Sequence, residues 1–414
     1  MKLTHHNTTP VLHRLLTGAL ALLWTVSAHA GDAPRSVTLP EATRIALDKN
    51  PGLAGAQQRV AAARAALRQA DAAFWPQIRL SANYAASDNP VQAFMMTLNQ
   101  RAFTFAGDFN DPDTTDNLNG KVLATYSLFN GGHDWAGRQA ARLGADANAQ
   151  LLEAARRDLV FEVTRAFHTV GKARRFVRVA ETGLASMAEN LNVASNRFAQ
   201  GVALKSDWLD AEVRLAEARE ELLRSRNALA IAEAIFRNTL GVGESETMTP
   251  AEPGADTPAD ALTDPAGIAP RPELVAAQKA VAAAERQVRA AFGRHLPRVH
   301  AFASYDIDSG DAQHFEESWL AGVSVEVDVF DGFLTRGKIA EARAQLAAAR
   351  AQLRQTELAV QLEMKQALLN LDEARARLET TARAAAQAEE SLHIAQQRYA
   401  EGLTLLAQVL DAET

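Results

Sequence analysis

Gly332-Phe333-Leu334-Thr335-Arg336-Gly337-Lys338 has the glycine and lysine spacing of a loop that cradles phosphate, and it falls between an alternating segment and a helical one. Nucleotide chemistry needs more than this. Ile339 stands where a hydroxyl would hold Mg²⁺, and no acidic strand end is placed to partner it, so the glycines are read as a strand-to-rod bend. Asp108, Asp111, Asp113 and Asp116 could gather around Ca²⁺. The segment lacks the central glycine and terminal glutamate of a helix-loop-helix site, and an exposed acidic loop accounts for its composition. His133, His168, His295, His300, His314 and His393 are scattered without close ligand spacing, and no nucleophile elbow is present. Neither a catalytic residue nor a cofactor or metal site is expected, and paired carboxylates on helical segments read as solvated faces with i,i+4 partners.

The elements that carry these residues form a repeat. Pro51, Pro76, Phe129 and Gly201 of one unit correspond to Pro272, Pro297, Phe330 and Gly402 of a second, in the order short helix, strand, strand, very long helix, glycine turn. The units differ mainly by about twenty extra residues between the two strands of the first. They divide the chain into an expected signal peptide at 1–30, a first repeat at 31–241, a linker at 242–270 and a second repeat at 271–414. The signal is read from Lys2 and Arg14, the apolar run from Leu15 to Val26 and the small-x-small site Ala28-His29-Ala30. No later stretch offers the roughly 18 apolar residues of a membrane-spanning helix, so any insertion must use strands. The 414 residues contain no cysteine, which removes disulfides and thiolate metal sites, and a net charge of -7 gives no sign of nucleic-acid binding.

A seam repeating every 3.5 residues runs Leu152, Leu159, Val163, Ala166, Val170, Ala173, Val177, Ala180, Leu184, Met187, Leu191, Ala194, Phe198, interrupted only by Arg156. The second repeat answers it from Leu353 to Tyr399, with Glu357 in place of Arg156. A helix from near Gly131 to Gly201 would be on the order of 100 Å long. Shorter helical segments, Glu41 to Phe74 and Ser206 to Leu240, would match it if stacked end to end. The strand pairs, expected at 77–129 and 298–330, alternate apolar and polar: Ile78, Leu80, Ala82 and Tyr84 against Gln77, Arg79, Ser81 and Asn83, and Val323, Val325, Val327 and Val329 against Gly322, Ser324, Glu326 and Asp328. Phe74, Trp75, Tyr84, Tyr126, Phe129, Tyr305, Trp319, Phe330 and Phe333 collect at strand ends, as interfacial girdles do. A soluble hairpin packed on a core fits the alternation equally well; export and the missing partner layer favour a barrel wall. Four strands cannot close a barrel, so that reading demands an oligomer.

Leu39-Pro40-Glu41-Ala42, Asn50-Pro51, Trp75-Pro76, Tyr126-Ser127-Leu128-Phe129-Asn130-Gly131-Gly132, Arg197-Phe198-Ala199-Gln200-Gly201, Arg398-Tyr399-Ala400-Glu401-Gly402 and Val409-Leu410-Asp411-Ala412 together resemble the TolC-like outer-membrane efflux proteins. The resemblance implies a mainly α chain with membrane β: a homotrimer whose four strands per chain build a twelve-stranded outer-membrane barrel on a long coiled-coil helical barrel in the periplasm. It implies passive transport as the exit duct of a tripartite efflux pump or type I secretion system, with a periplasmic adaptor, an inner-membrane transporter and outer-membrane lipid as partners. The alternative is a periplasmic coiled-coil adaptor or scaffold without a barrel. By the same resemblance Asp411 lies in the ring of a closed aperture, Gln408 replaces a second ring aspartate, and Asp207 and Asp210 occupy the corresponding turn of the first repeat. Arg197, Gly201, Arg398 and Gly402 mark the tip turns and candidate adaptor contacts. Thr414 corresponds to Val213, so the second return helix is expected to be shorter by about twenty-seven residues.

Overall fold

The computed structural model describes residues 35–105, 108, 110–243, 246, 248–252 and 270–414; the expected signal peptide and most of the expected linker lie outside the described residues. In chain order the elements are β1 (Arg35–Val37), α1 (Leu39–Lys49), α2 (Pro51–Asp71), β2 (Gln77–Ser87), α3 (Pro90–Asn99), β3 (Thr115–Asn130), α4 (His133–Ala199) and α5 (Lys205–Leu240). There follow β4 (Met248–Pro250), α6 (Pro272–Gly293), β5 (Arg298–Ser309), β6 (Glu316–Glu326), α7 (Leu334–Ala400) and α8 (Leu406–Glu413). The two rods α4 and α7 have 67 residues each and begin and end at corresponding positions of the two repeats. At 1.5 Å per residue each is about 100 Å long, as the sequence predicts.

Four of the strands form an antiparallel sheet in the order β2-β3-β5-β6. Its register puts Leu80 opposite Val122, Val122 opposite Tyr305, and Tyr305 opposite Trp319, so the apolar residues of all four strands share one face. On the other face Ser81, Lys121, Asp306 and Ser318 lie in line, with Leu123, Phe302 and Leu320 as exceptions. Leu80 is 77% exposed. The sheet's apolar face is therefore uncovered by this chain, and β2 and β6 are open edges. The second hairpin ends earlier than expected: β6 stops at Glu326, paired with Arg298, because β5 offers no residue before Arg298 to bond the continuing alternation through Val329.

The expected single helix from Glu41 to Phe74 is two helices and a short 3₁₀ turn. Asn50 breaks it, held extended at φ -68° and ψ 121° by the proline that follows. Its side chain accepts from the backbone N–H groups of Gly52 and Leu53 and donates to the carbonyl of Thr239 at the end of α5 (2.9 Å). One amide thus caps α2 and satisfies α5, and the two helices stack end to end along α4. Gly241 makes this joint possible: it sits at φ 74°, and a Cβ there would lie 2.6 Å from the carbonyl oxygen of Lys49. Around the joint a core of Val37, Ala42, Ala46, Val163, Phe167, Val170, Phe236 and Leu240 is closed by the parallel pair β1–β4.

Gly131 joins β3 to α4 at φ 57°, and a Cβ on it would lie 1.9 Å from the carbonyl oxygen of Gly293, where α6 turns into β5. Gly332, its counterpart in the second repeat, also has positive φ (66°) but open space around it. Gly131→Ala is therefore expected to cost roughly 3 kcal/mol or more, through both collision and backbone strain. Gly332→Ala should cost only the strain, about 1–2 kcal/mol. Thermal melts of the two variants check the order; equal losses would contradict it.

Candidate gate and docking tip

At the far end of the rods from the sheet, Gly201 (φ 74°) and Gly402 (φ 76°) reverse the chain in the left-handed region that only glycine enters freely. In each, the third residue past the helix bonds back across the turn: Val202 N–H to the carbonyl of Arg197 (3.0 Å) and Leu403 N–H to that of Arg398 (2.8 Å). Arg197 and Arg398 therefore occupy equivalent last-turn positions, where a cation complements the helix dipole. Arg398 is exposed. The Arg197 guanidinium lies over the Tyr399 ring, 4.2 Å from its centre, so a cation of the first repeat rests on an aromatic of the second.

Other contacts tie the two hairpins together. Ala194 of α4, Ala211 of α5 and Leu406 and Leu410 of α8 form a small buried cluster, with Met187, Leu191 and Tyr399 against it. Ser186 and Asn190 each donate to the carboxylate of Glu413 at 2.7 Å. Asp411 accepts from Arg214 of α5 at 3.1 Å. Of the gate candidates, Asp411 is thus engaged between hairpins, whereas Asp207 lies beside the Ser206 hydroxyl (3.4 Å) and Asp210 is exposed. Gln408 is exposed and accepts from the Thr404 hydroxyl one turn earlier. Trp208 stacks on Phe198 with ring planes 7° apart. The partners Arg214, Glu413, Ser186 and Asn190 were not singled out from sequence, and Tyr399 was read only as a seam and motif residue; their pairings span up to 227 residues, and only the charge complementarity of Arg214 and Asp411 offered a signal.

Beyond the glycines the turns expose matching apolar pairs, Val202 and Leu204 (71% and 69%) and Leu403 and Leu405 (64% and 68%). Midway along the rod a second charged node joins the repeats: Arg271 at the start of α6 bridges Glu273 and Glu363 of α7 (3.0 Å), beside Asp158 of α4. Partial burial, then the nearby Glu273, hold the Asp158 carboxyl above its usual range, with Arg271 opposing. The described residues contain no cluster of metal-ligand side chains. The segment from Gly332 to Lys338 leads through a left-handed turn at Gly332 and Phe333 into the start of α7, where the Thr335 N–H donates to Asp331 (2.8 Å).

The model for "Outer membrane efflux protein" matches residues 43–242 and 268–414. Protein CyaE of Bordetella pertussis is 28% identical over 362 residues, covering 84% of this chain and 72% of that protein. Outer membrane efflux protein BepC of Brucella suis is 24% identical, covering 86% and 75%. The crystal structure of the outer membrane protein VceC from Vibrio cholerae superposes with a TM-score of 0.77 at 22% identity, over 91% of this chain and 89% of that one.

Two outcomes follow from this geometry. Because the fold favours the protonated form of Asp158, its cost is present at neutral pH and disappears as pH falls through the raised pKa. Asp158→Asn should therefore raise the melting temperature at neutral pH and change nothing in acid, where Asp158 is already protonated. Arg197→Ala and Arg214→Ala should each loosen the tip by about 0.5–1 kcal/mol, the scale of exposed cation–π and ion pairs. Their combination should make cells expressing the protein measurably more sensitive to bulky antibiotics that the outer membrane excludes.

Proposed function

The chain belongs to the outer membrane efflux protein family, and on that premise we propose that three copies form one exit duct for a tripartite efflux pump or type I secretion system. Transport through it is passive, with no catalysis by the duct, and the energy comes from an inner-membrane transporter. One observation carries this reading. A four-stranded sheet with an uncovered apolar face and two open edges runs, through bends at Gly131 and Gly332, into two rods about 100 Å long. Three such sheets joined edge to edge give twelve strands, with lipid on the apolar face and water on the polar one. The rods carry the passage across the periplasm.

At the tip, the α5 and α8 turns close the passage, and Asp207, Asp210 and Asp411 supply negative charge around it. Gln408, in place of a further carboxylate, lowers that charge. The exposed pairs Val202/Leu204 and Leu403/Leu405 offer six equivalent apolar knobs per trimer to a periplasmic adaptor. Opening swings the α8 and α5 turns outward by breaking the Arg214–Asp411 and Arg197–Tyr399 contacts.

The protein should run as heat-modifiable trimers in outer-membrane fractions and, once purified, conduct ions in planar bilayers. Changing Asp207, Asp210 and Asp411 together to asparagine should weaken block by multivalent cations. Unchanged block would remove the gate assignment, and purely soluble periplasmic protein would favour the scaffold reading. Val202→Ser with Leu403→Ser should abolish co-purification of the adaptor while leaving trimers intact.

A further inference from the structure

The segment joining β2 to β3 does not turn back at the sheet edge. Gln100 donates to the backbone carbonyl of Asp116 (2.7 Å) and to the Asn117 side chain (3.0 Å), and it lies so close to Gly310 that a Cβ there would meet its amide at 2.5 Å. The next residue, Arg101, reaches Glu316 (3.1 Å) and the carbonyl of Glu317 (3.0 Å) on β6. β6 is the edge strand farthest from β2, so the segment crosses β3 and β5 to get there.

The face it crosses is identified by register. Asn117, Asp308 and Glu316 all point to the polar side, Asp308 directly opposite Glu316. Asn117 and Asp308 are buried, and the Asn117 amide donates to Asp308 at 2.6 Å. These residues, at the outer end of a water-facing sheet surface, lie where this segment crosses them. Its path is also enforced locally. Arg101 closes α3 at φ 51°, with Ala102 N–H bonded back to the carbonyl of Thr97 (3.0 Å), a conformation that costs a non-glycine residue strain and is held by the ion pair. Phe94 meets Phe103 edge to face at 5.2 Å, fastening α3 to the chain that follows it.

Val91, Met95 and Leu98 form an apolar stripe at helical spacing on α3, and Val91 is 71% exposed. Lipid lies on the other face of the sheet and cannot cover it. Twelve strands about 4.8 Å apart and tilted about 40° make a backbone ring roughly 24 Å across. Three helices about 10 Å in diameter, meeting on the axis, nearly fill such a ring.

We propose that α3 is an inward-folded cap: the α3 stripes of three copies of this chain pack on one another across the outer mouth of the barrel, each latched to its own sheet by Arg101 on Glu316 and Gln100 on Asn117. The duct then has a constriction at its outer end, separate from the tip. This rests on the trimeric-barrel reading, in which the polar face lines the lumen.

The chain contains no cysteine, so a single introduced thiol reports its surroundings cleanly. Ser81→Cys lies on the polar face and Ala82→Cys on the apolar face of β2. Intact cells are treated with a small hydrophilic maleimide and with a bulky polymer-linked one that cannot cross the outer membrane. The small reagent should label Ser81→Cys and not Ala82→Cys. The bulky reagent should be excluded from Ser81→Cys, and exclusion should be lost on adding Arg101→Ala or on replacing residues 90–99 by a Gly-Ser linker. Entry of the bulky reagent with the cap unaltered overturns the cap and leaves the barrel standing; so does exclusion that survives both changes. Equal labelling of Ser81→Cys and Ala82→Cys by the small reagent removes the barrel reading and the cap with it.

Discussion

A backbone N–H or C=O exposed to hydrocarbon costs several kcal/mol, and a sheet edge presents a row of them. β2 and β6 are both such edges, and one face between them is apolar up to its outer rim, where Asp116 and Glu317 stand. Within one chain the sheet can therefore neither enter lipid nor stay in water without penalty. Pairing β6 of one copy with β2 of the next removes both problems at once, and it is the closure of that ring that gives the remaining features their meaning: an inside that is polar, an outside that is apolar, and six rods arranged around one axis.

Along the axis the packing is uneven in a way that suits a duct. The joint at Asn50 and Gly241 sits in a core of fully buried Val37, Val163, Val170, Phe236 and Leu240, and the bend at Gly131 is locked backbone to backbone on Gly293. The tip has instead a small cluster around Ala194 and Leu410, one cation over a ring and a partly exposed ion pair. Contacts of that kind contribute about 0.2–1 kcal/mol each, so the tip is held far less tightly than the joint at Asn50 and Gly241, as the proposed opening requires.

Much of this was legible because the chain describes itself twice. The repeat places α4 and α7 at matching bounds, and the period-two alternation assigns the faces of β2 and β6. The break at Asn50 was signalled by Asn-Pro, but a continuous helical composition on either side hid it. β6 ends at Glu326 although alternation continues, since a strand extends only as far as its neighbour bonds it. α3 lay unread inside the long insertion, despite Asn89 and Pro90 as a helix start, because it has no counterpart in the second repeat. At the candidate gate, residue types marked Asp207, Asp210 and Asp411, but the pairing of Asp411 with Arg214 depends on how two hairpins lie together, which no local pattern encodes.

Closure of one ring by three sheets can be tested directly by crosslinking. One cysteine stepped along β2 and one along β6, in a chain that otherwise has none, can be oxidised in native outer membranes at each relative register. If three sheets close the ring, some register yields covalent trimers and no larger species. Absence of crosslinks between copies at every register, or a ladder running past the trimer, would contradict it.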